Sequence, residues 1–275
     1  MNQCKKISVV FSVYNERESL EALFSNISGL ISNLSYYFEL IFVDDGSTDG
    51  SDKMIRNYGT MNPSNSQVML IRLSRNFGHE AAMIAGIDHA LGDAIICMDA
   101  DLQHPVELIP SMISSYESGS EIVTMIRNRN NGSTPRSSRF SRFFYCLFNW
   151  LSDHKLQENA SDFFLVSKKV AEILKSDFRE RKRFLRGVIQ TIGFPSTTMN
   201  FIAPARSAGK TKYSFLKLTS LTAQAITSFS NAPLFLGIWF GFLFGLLSVI
   251  LGIYSLIVFF FGETPPQDIL PLFCF

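Results

Sequence analysis

The sequence predicts an α/β domain built on a doubly wound parallel sheet, followed by a membrane-spanning helix. Three observations carry this. Short β-branched and apolar runs alternate with amphipathic segments of about a dozen residues. Acidic residues follow several of those runs directly, at Glu16, Asp44-Asp45 and Asp99, and parallel strands would gather them on one edge. Near the end, Leu234 to Phe261 runs without a charge for longer than the about 20 residues that cross a bilayer core.

Each element has its own warrant. Ile7 to Val13 is β-branched and apolar and ends at Tyr14-Asn15-Glu16, as a strand entering a polar loop does. Leu20, Leu23, Phe24, Ile27, Leu30, Ile31 and Leu34 recur at three and four, the spacing of one buried helix face. Phe38 to Val43 is a second strand, closed by Asp44-Asp45-Gly46-Ser47-Thr48-Asp49-Gly50, which reads either as a plain turn or as a loop offering acceptors to a base or ribose. A helix over 51–58, a strand over 68–73, the loop Ser74 to His79 and a helix over 80–91 stopped by Gly92 follow. After the next strand come a helix over 106–116 and a strand over 121–126. Arg127 to Pro135 reads as a loop over phosphates or as a solvated connection. Asp162 opens the strand-like run 159–166, and a helix over 168–174 succeeds it.

The stretch Ala94 to His104 is the chemical centre. A buried strand, Ala94 to Met98, breaks at Asp99-Ala100-Asp101. Carboxylates at i and i+2 on extended backbone point the same way, so Asp99 and Asp101 can converge on one hard cation, with Gln103 adding a neutral oxygen. Magnesium or manganese held so would share its shell with a diphosphate, which makes a nucleotide-diphosphate substrate the working idea. The competing reading is a polar turn in which Asp101 caps the helix at Val106. His79 and His104 read as structural or hydrogen-bonding imidazoles.

Charge separates the membrane reading from a nucleic-acid one. The net charge is only +1, but the basic residues cluster at Arg179, Arg181, Lys182, Arg183, Arg186, Arg206, Lys210, Lys212 and Lys217, and none follows. A basic flank before an apolar span marks the cytoplasmic side. The helix with Phe140, Phe143, Phe144, Leu147 and Leu151 on one face and Arg136, Arg139 and Arg142 near one end suits a membrane interface or a core. Four scattered cysteines give no zinc or disulfide spacing, and no signal peptide precedes the first strand. Gly237, Gly241 and Gly245 repeat at the spacing of a helix-pairing motif, so a homo-oligomer is one expectation. The last residues, Ile269 to Phe275, read as the start of a truncated second transmembrane helix.

Taken together, Asp44-Asp45-Gly46-Ser47, Arg75-Asn76-Phe77-Gly78-His79, Asp99-Ala100-Asp101-Leu102-Gln103, Arg183-Phe184-Leu185-Arg186-Gly187 and Arg206 to Tyr213 resemble the polyprenyl-phosphate glycosyltransferases. These are membrane-attached members of glycosyltransferase family 2 with a GT-A fold, among them dolichol-phosphate mannose synthase and the bactoprenol glucosyltransferases. The resemblance implies a cytoplasmic GT-A (Rossmann-like) domain over 1–213, a juxtamembrane interfacial helix over 214–232, a transmembrane helix over 233–262, and an outer loop with the second helix's start over 263–275. It implies a catalytic set of Asp101, Asp162 and Arg206. Val13, Tyr14, Glu16, Asp44, Asp99 and Lys212 would bind the nucleotide sugar, and Asp99, Asp101 and Gln103 the Mg2+ or Mn2+. Arg136, Arg139, Arg183, Arg186 and Lys210 would meet lipid phosphate and membrane.

The implied reaction is inverting transfer of a hexose, glucose from UDP-glucose, to undecaprenyl phosphate at the inner membrane, for O-antigen or other surface glycan modification. A flippase and a downstream glycosyltransferase would be partners, and nucleic acid would not. GDP-mannose as donor and a non-catalytic scaffold of the same fold are the alternatives. Three positions depart from the family pattern: Ser12 stands where Pro is usual, and in Ser161-Asp162-Phe163-Phe164, where Gly-Asp-Phe-Arg is usual, Ser161 replaces Gly and Phe164 lacks the guanidinium of Arg.

Overall fold

The computed structural model describes residues 5–60, 65–128, 157, 160–178, 185–204 and 232–261. They form two units, within Met1–Ser228 and Phe229–Phe275. The first is a sheet of seven strands: β1 (Lys6–Val13), β2 (Tyr37–Asp44), β3 (Ser66–Arg72), β4 (Ala94–Asp99), β5 (Ile122–Asn128), β6 (Ala160–Ser167) and β7 (Ser196–Ile202), in the order β3-β2-β1-β4-β6-β5-β7. The helices are α1 (Arg17–Ile31), α2 (Ser51–Thr60), α3 (His79–His89), a 3-10 turn (Val106–Leu108) leading into α4 (Ile109–Glu117), α5 (Lys168–Ser176) and α6 (Leu185–Thr191).

Alternation along the strands sorts the core onto two faces. Ile7, Val9, Phe11, Phe38, Leu40, Phe42, Ile96 and Met98 pack with Leu20, Leu23, Ile27 and Ile31 of α1, Ile55 of α2 and Ile109, Met112 and Ile113 of α4. Residues of opposite parity, such as Val10, face α3, where a Cβ on Gly86 would overlap Val10 Cγ1. That glycine is what lets α3 lie against β1.

The expected wholly parallel sheet needs one correction. β6 pairs antiparallel with both β4 and β5, while the other recorded pairs are parallel. Its N-terminal end therefore lies beside the C-terminal ends of β1 and β4. Strand β7 and helix α6 were not anticipated. β7 is an edge strand in which only Phe201 is fully buried, so its alternation is faint. Helix α4 begins as a 3-10 turn with Pro105 before it and no side-chain cap, so Asp101 does not cap it.

The second unit contains α7 (Ala232–Phe261), of which Gly237–Phe261 is long and apolar enough to cross a membrane. At about 1.5 Å per residue its 30 residues run about 45 Å, beyond a bilayer core of about 30 Å. Residues 214–231 of the interfacial reading, the aromatic helix around Phe140–Leu151 and the last residues, 262–275, fall outside the described residues, while Ala232 already belongs to α7.

Candidate functional site

The loops after β1, β2 and β3 are sewn together at the sheet's C-terminal edge. Asn15 N–H donates to Ser47 Oγ at 2.9 Å, and Thr48 N–H returns to Asn15 Oδ1 at 2.9 Å. Glu16 N–H donates to Ser51 Oγ and Arg17 N–H to Asp49 Oδ2. Buried Asp45 accepts from Phe77 N–H at 2.7 Å and Gly78 N–H at 2.9 Å, fixing the loop that enters α3. Gly46, at φ +74°, comes so near that an added Cβ would stand 2.7 Å from Arg75 C. Only glycine fits there, by conformation and by space.

Of the residues expected near the nucleotide, Val13 and Asp44 are buried strand ends and Tyr14 is exposed beside them. Asp44 Oδ1 accepts from Ser47 N–H at 2.9 Å, and its Oδ2 faces Arg72 Nε at 3.4 Å. Glu16 Oε2 accepts from Ser19 Oγ. These carboxylates hold loop geometry as they stand.

A row of polar side chains crosses β1, β4 and β6. Ser12 pairs with Asp99 in the β1–β4 register, and continuing the β4–β6 register past Cys97 and Phe164 by two residues brings Asp99 opposite Asp162. Two carboxylates one strand spacing apart, about 4.8 Å, repel by about 3 kcal/mol at an effective dielectric of about 20. Cations offset this. His79, first residue of α3, lies over the row with Nδ1 at 3.0 Å from Asp99 Oδ1 and 2.9 Å from Ser12 Oγ, and Nε2 at 3.5 Å from Asp162 Oδ2. Arg186 of α6 grips Asp162 as a fork, Nε to Oδ1 at 3.1 Å and a terminal nitrogen to Oδ2 at 2.5 Å.

Electrostatics follow from these contacts. Burial opposes charge on Asp162, but Arg186 and His79 outweigh it and hold the carboxyl far below its ordinary range. Burial likewise opposes ionisation of Asp99, and His79 again lowers it. His79 is itself raised well above its ordinary value: burial pulls it down, and Asp99 with Asp162 more than reverse that. His104 behaves oppositely. Its Nδ1 accepts from Asp99 N–H at 2.9 Å, so it carries no proton there, and burial, only partly offset by Asp99 and Asp101, lowers its pKa. Its Nε2 lies 2.9 Å from Ser161 Oγ.

Asp101 is held locally. Gln103 N–H donates to its Oδ1 at 3.1 Å and Gln103 Nε2 to its Oδ2 at 2.8 Å, while Gln103 Oε1 accepts from Arg127 at 3.0 Å. The oxygen that the sequence reading offered to a cation is thus engaged by a guanidinium. Among the described residues no group of three or more His, Cys, Asp or Glu converges as a closed metal cage. Asp99 ends β4 and Asp101 lies two residues beyond it; carboxylates are the donors that suit a hard cation completing its shell with substrate oxygens.

Arg186, expected to meet lipid phosphate, is found paired with Asp162. Arg206, Lys210, Lys212, Arg136, Arg139 and Arg183 lie outside the described residues. Glu80 enters the site without having been singled out, and Ser161 had been noted only as a departure from the family pattern; His79 was expected as a structural or hydrogen-bonding imidazole, and Arg127 as the start of a loop over phosphates or of a solvated connection. His79 had a visible signal, a ring placed at a strand-to-helix junction on the acidic edge.

Comparison with known proteins bears on this geometry. Residues 8–174 match the model of glycosyl transferase family 2. The chain is 35% identical over 243 residues to the uncharacterized glycosyltransferase YkcC of Bacillus subtilis strain 168, covering 88% of this chain and 74% of that one. It is 34% identical over 252 residues to the prophage bactoprenol glucosyl transferase homolog of Escherichia coli K12, covering 92% and 81%. The glucosyl-3-phosphoglycerate synthase of Mycobacterium tuberculosis, solved with Mn2+, UDP-glucose and phosphoglyceric acid, shares the fold with a TM-score of 0.54 at 19% identity, over 81% of this chain and 77% of that one. The mannosyl-3-phosphoglycerate synthase of Rubrobacter xylanophilus gives 0.57 at 12% identity, over 82% and 73%.

Proposed function

The chain belongs to glycosyltransferase family 2, and from that premise we propose that it transfers glucose from UDP-glucose to undecaprenyl phosphate, with inversion, at the cytoplasmic face of the inner membrane. The observation that carries the choice of acceptor is the state of Asp162. Both its oxygens are taken by Arg186 and its charge is held firmly, so it is a poor proton acceptor at neutral pH. A sugar hydroxyl needs a base, whereas a phosphate monoester already carries about −1.5 to −2 charges at pH 7. The kinship to bactoprenol glucosyl transferases and the charge-free helix α7 support the same acceptor. The basic residues all precede α7, which supports a cytoplasmic domain.

In this reading a phosphate oxygen of the lipid attacks the anomeric carbon as the bond to the nucleoside diphosphate breaks on the opposite face, and no proton is removed. Asp99 and Asp101 would hold Mg2+ or Mn2+. The cation, when bound, supplies charge stabilisation to the departing diphosphate. Asp162 orients the sugar, Val13, Tyr14, Glu16 and Asp44 border the nucleotide, and the basic residues Arg206 and Lys212 clamp phosphate. Glucose with UDP is favoured by the relatives' names and by the UDP-glucose in a solved neighbour.

The test is an assay of membranes containing the full chain with undecaprenyl phosphate, Mn2+ or Mg2+, and a panel of labelled nucleotide sugars. UDP-glucose should give a labelled lipid that disappears with a chelator and with Asp101→Asn. Asp162→Asn should slow transfer by less than about a thousandfold, since a general base contributes about 10² to 10⁴. A steeper loss makes Asp162 the base, and no lipid product from any donor overturns the proposal.

A further inference from the structure

The side chains that hold Asp101 reach it from two directions. Leu102 stands in the left-handed region at φ +62°, unfavourable for a bulky residue, and so turns Gln103 back onto Asp101. Both carboxylate oxygens accept from Gln103, Oδ1 from its N–H at 3.1 Å and Oδ2 from its Nε2 at 2.8 Å. The other end of the same amide, Oε1, accepts from Arg127 Nη1 at 3.0 Å. These partners leave the amide one orientation. A guanidinium only donates and a carboxylate only accepts, so Nε2 must face Asp101 and Oε1 must face Arg127.

Arg127 belongs to β5, which is not a neighbour of β4. Strand β6 lies between them, so the contact crosses two strand spacings, about 9.6 Å, at the edge where β6 begins and carries Asp162. The Arg127 side chain is exposed, but its backbone is pinned by β7, with Arg127 opposite Phe201 and Asn128 opposite Ile202. A locally unfavourable turn persists only where its surroundings hold it. Here Leu102 packs against the core on one side, and the guanidinium holds the amide on the other.

We propose that Arg127 is a positioning residue for Asp101, a clasp from β5 that acts through Gln103 to fix the plane of the carboxylate. It rests on the reading of Asp101 as a cation ligand in a glycosyl-transfer site. The sign of its effect is distinctive. By charge alone a guanidinium repels a divalent cation, so its removal would tighten cation binding. Loss of a clasp acts the other way: the amide turns, Asp101 loses an ordering donor, and cation binding weakens.

Mn2+ binding to the full chain in detergent or nanodiscs tests this, read as loss of the free-ion EPR signal with no lipid acceptor, for Mn2+ alone and for Mn2+ with UDP. Arg127→Met keeps the apolar stem and removes the donor, and should weaken binding about 10-fold, the lower end of what outer partners of metal ligands contribute. Arg127→Lys restores a donor and should recover most of that loss. Gln103→Met should weaken binding at least as much, and adding Arg127→Met to it should change the affinity by no more than about twofold, because the two act in series. Unchanged or tighter binding in Arg127→Met overturns the clasp, and so do additive losses in the double variant. If Gln103→Met fails to fold, the sign of the change in Arg127→Met and its recovery in Arg127→Lys still decide.

Transfer kinetics separate the clasp from a direct contact with substrate phosphate. The activity lost in Arg127→Met should return when Mn2+ is raised by about the same 10-fold, with the KM of undecaprenyl phosphate unchanged. A raised lipid KM that excess Mn2+ does not correct makes Arg127 a substrate contact and overturns the proposal. Wild type that binds Mn2+ but transfers no sugar from any donor counts against the transferase reading and leaves the clasp to be judged on the affinities. Wild type that transfers sugar yet binds Mn2+ neither alone nor with UDP overturns the clasp and leaves transfer standing.

Discussion

Glu80 occupies the first turn of α3 beside His79, and its carboxyl is pushed up to about 7, mainly by burial and further by the charge of Asp162, against the opposing pull of His79 and Arg186. A carboxyl whose folded pKa lies above its unfolded value binds its proton more tightly in the folded state. Stability is therefore undiminished below about pH 4.5, falls as pH rises from there to about 7, and then levels. Glu80→Gln removes the charged form. The variant should be more stable than wild type by about 1–3 kcal/mol at pH 8.5 and by much less at pH 5.5, so its advantage in Tm should widen between those values; an equal gap at both pH values would show that the side chain does not titrate in that range. Legibility at this scale was uneven. Asp99 and Asp101 stood out because carboxylates break an apolar run, whereas Asp162, at the start of one, drew its role from the family resemblance alone. Arg186 was visible as a basic residue and assigned to lipid, because nothing in its neighbours announces a partner 24 positions back in the chain. Two of the three departures from the family pattern, Ser12 and Ser161, each place a hydroxyl on a histidine far away in the sequence, and the third, Phe164, is buried in the core.

Helix α3 is the element on which the site's precision depends, because it carries His79 and Glu80 at its first turn and lies against β1 through Gly86. Gly86→Ala inserts a methyl into Val10, and overpacking of this kind costs about 1–3 kcal/mol. The expected outcome is a lowered Tm together with reduced transfer, because the helix start moves with the helix. Val10→Ala in the same chain should restore both; failure of the double variant to recover would place the damage elsewhere. Strands β1, β2 and β4 and helix α1 were legible because their apolar patterning is strong, and α2 to α4 were placed by the strands and turn residues around them. The direction of β6 was not. An apolar run of eight residues reads the same whether the strand runs up or down, and the connection that reverses it leaves no periodic signal. β7 hid for the opposite reason, as a partly exposed edge strand has too little apolar contrast to show.

At the scale of the molecule, the described residues join a soluble-type α/β sheet to a helix whose described side chains are almost all exposed and apolar. Exposed Phe, Leu and Ile along Gly237–Phe261 are unfavourable in water and favourable in hydrocarbon. The full chain should fractionate with membranes and resist alkaline carbonate extraction, and folded protein in the soluble fraction would contradict the membrane assignment. The class of fold and the apolar helix were both readable from periodicity, whereas the meeting of residues far apart in sequence was not. The sheet itself is made of two stretches, each continuous in the chain: β3-β2-β1-β4 comes from residues before 100, and β6-β5-β7 from residues after 121. They join along one antiparallel seam whose recorded pairs are Ala94 with Ser167, Ile95 with Val166, Ile96 with Leu165 and Cys97 with Phe164. A slip of two residues along that ladder would keep every side chain on its proper face yet carry Asp162 about 7 Å from its place opposite Asp99. The enzyme is thus built like a vernier. Its two scales can each be intact while the instrument reads zero, so a variant altered at the seam can lose activity while both halves keep their own strands.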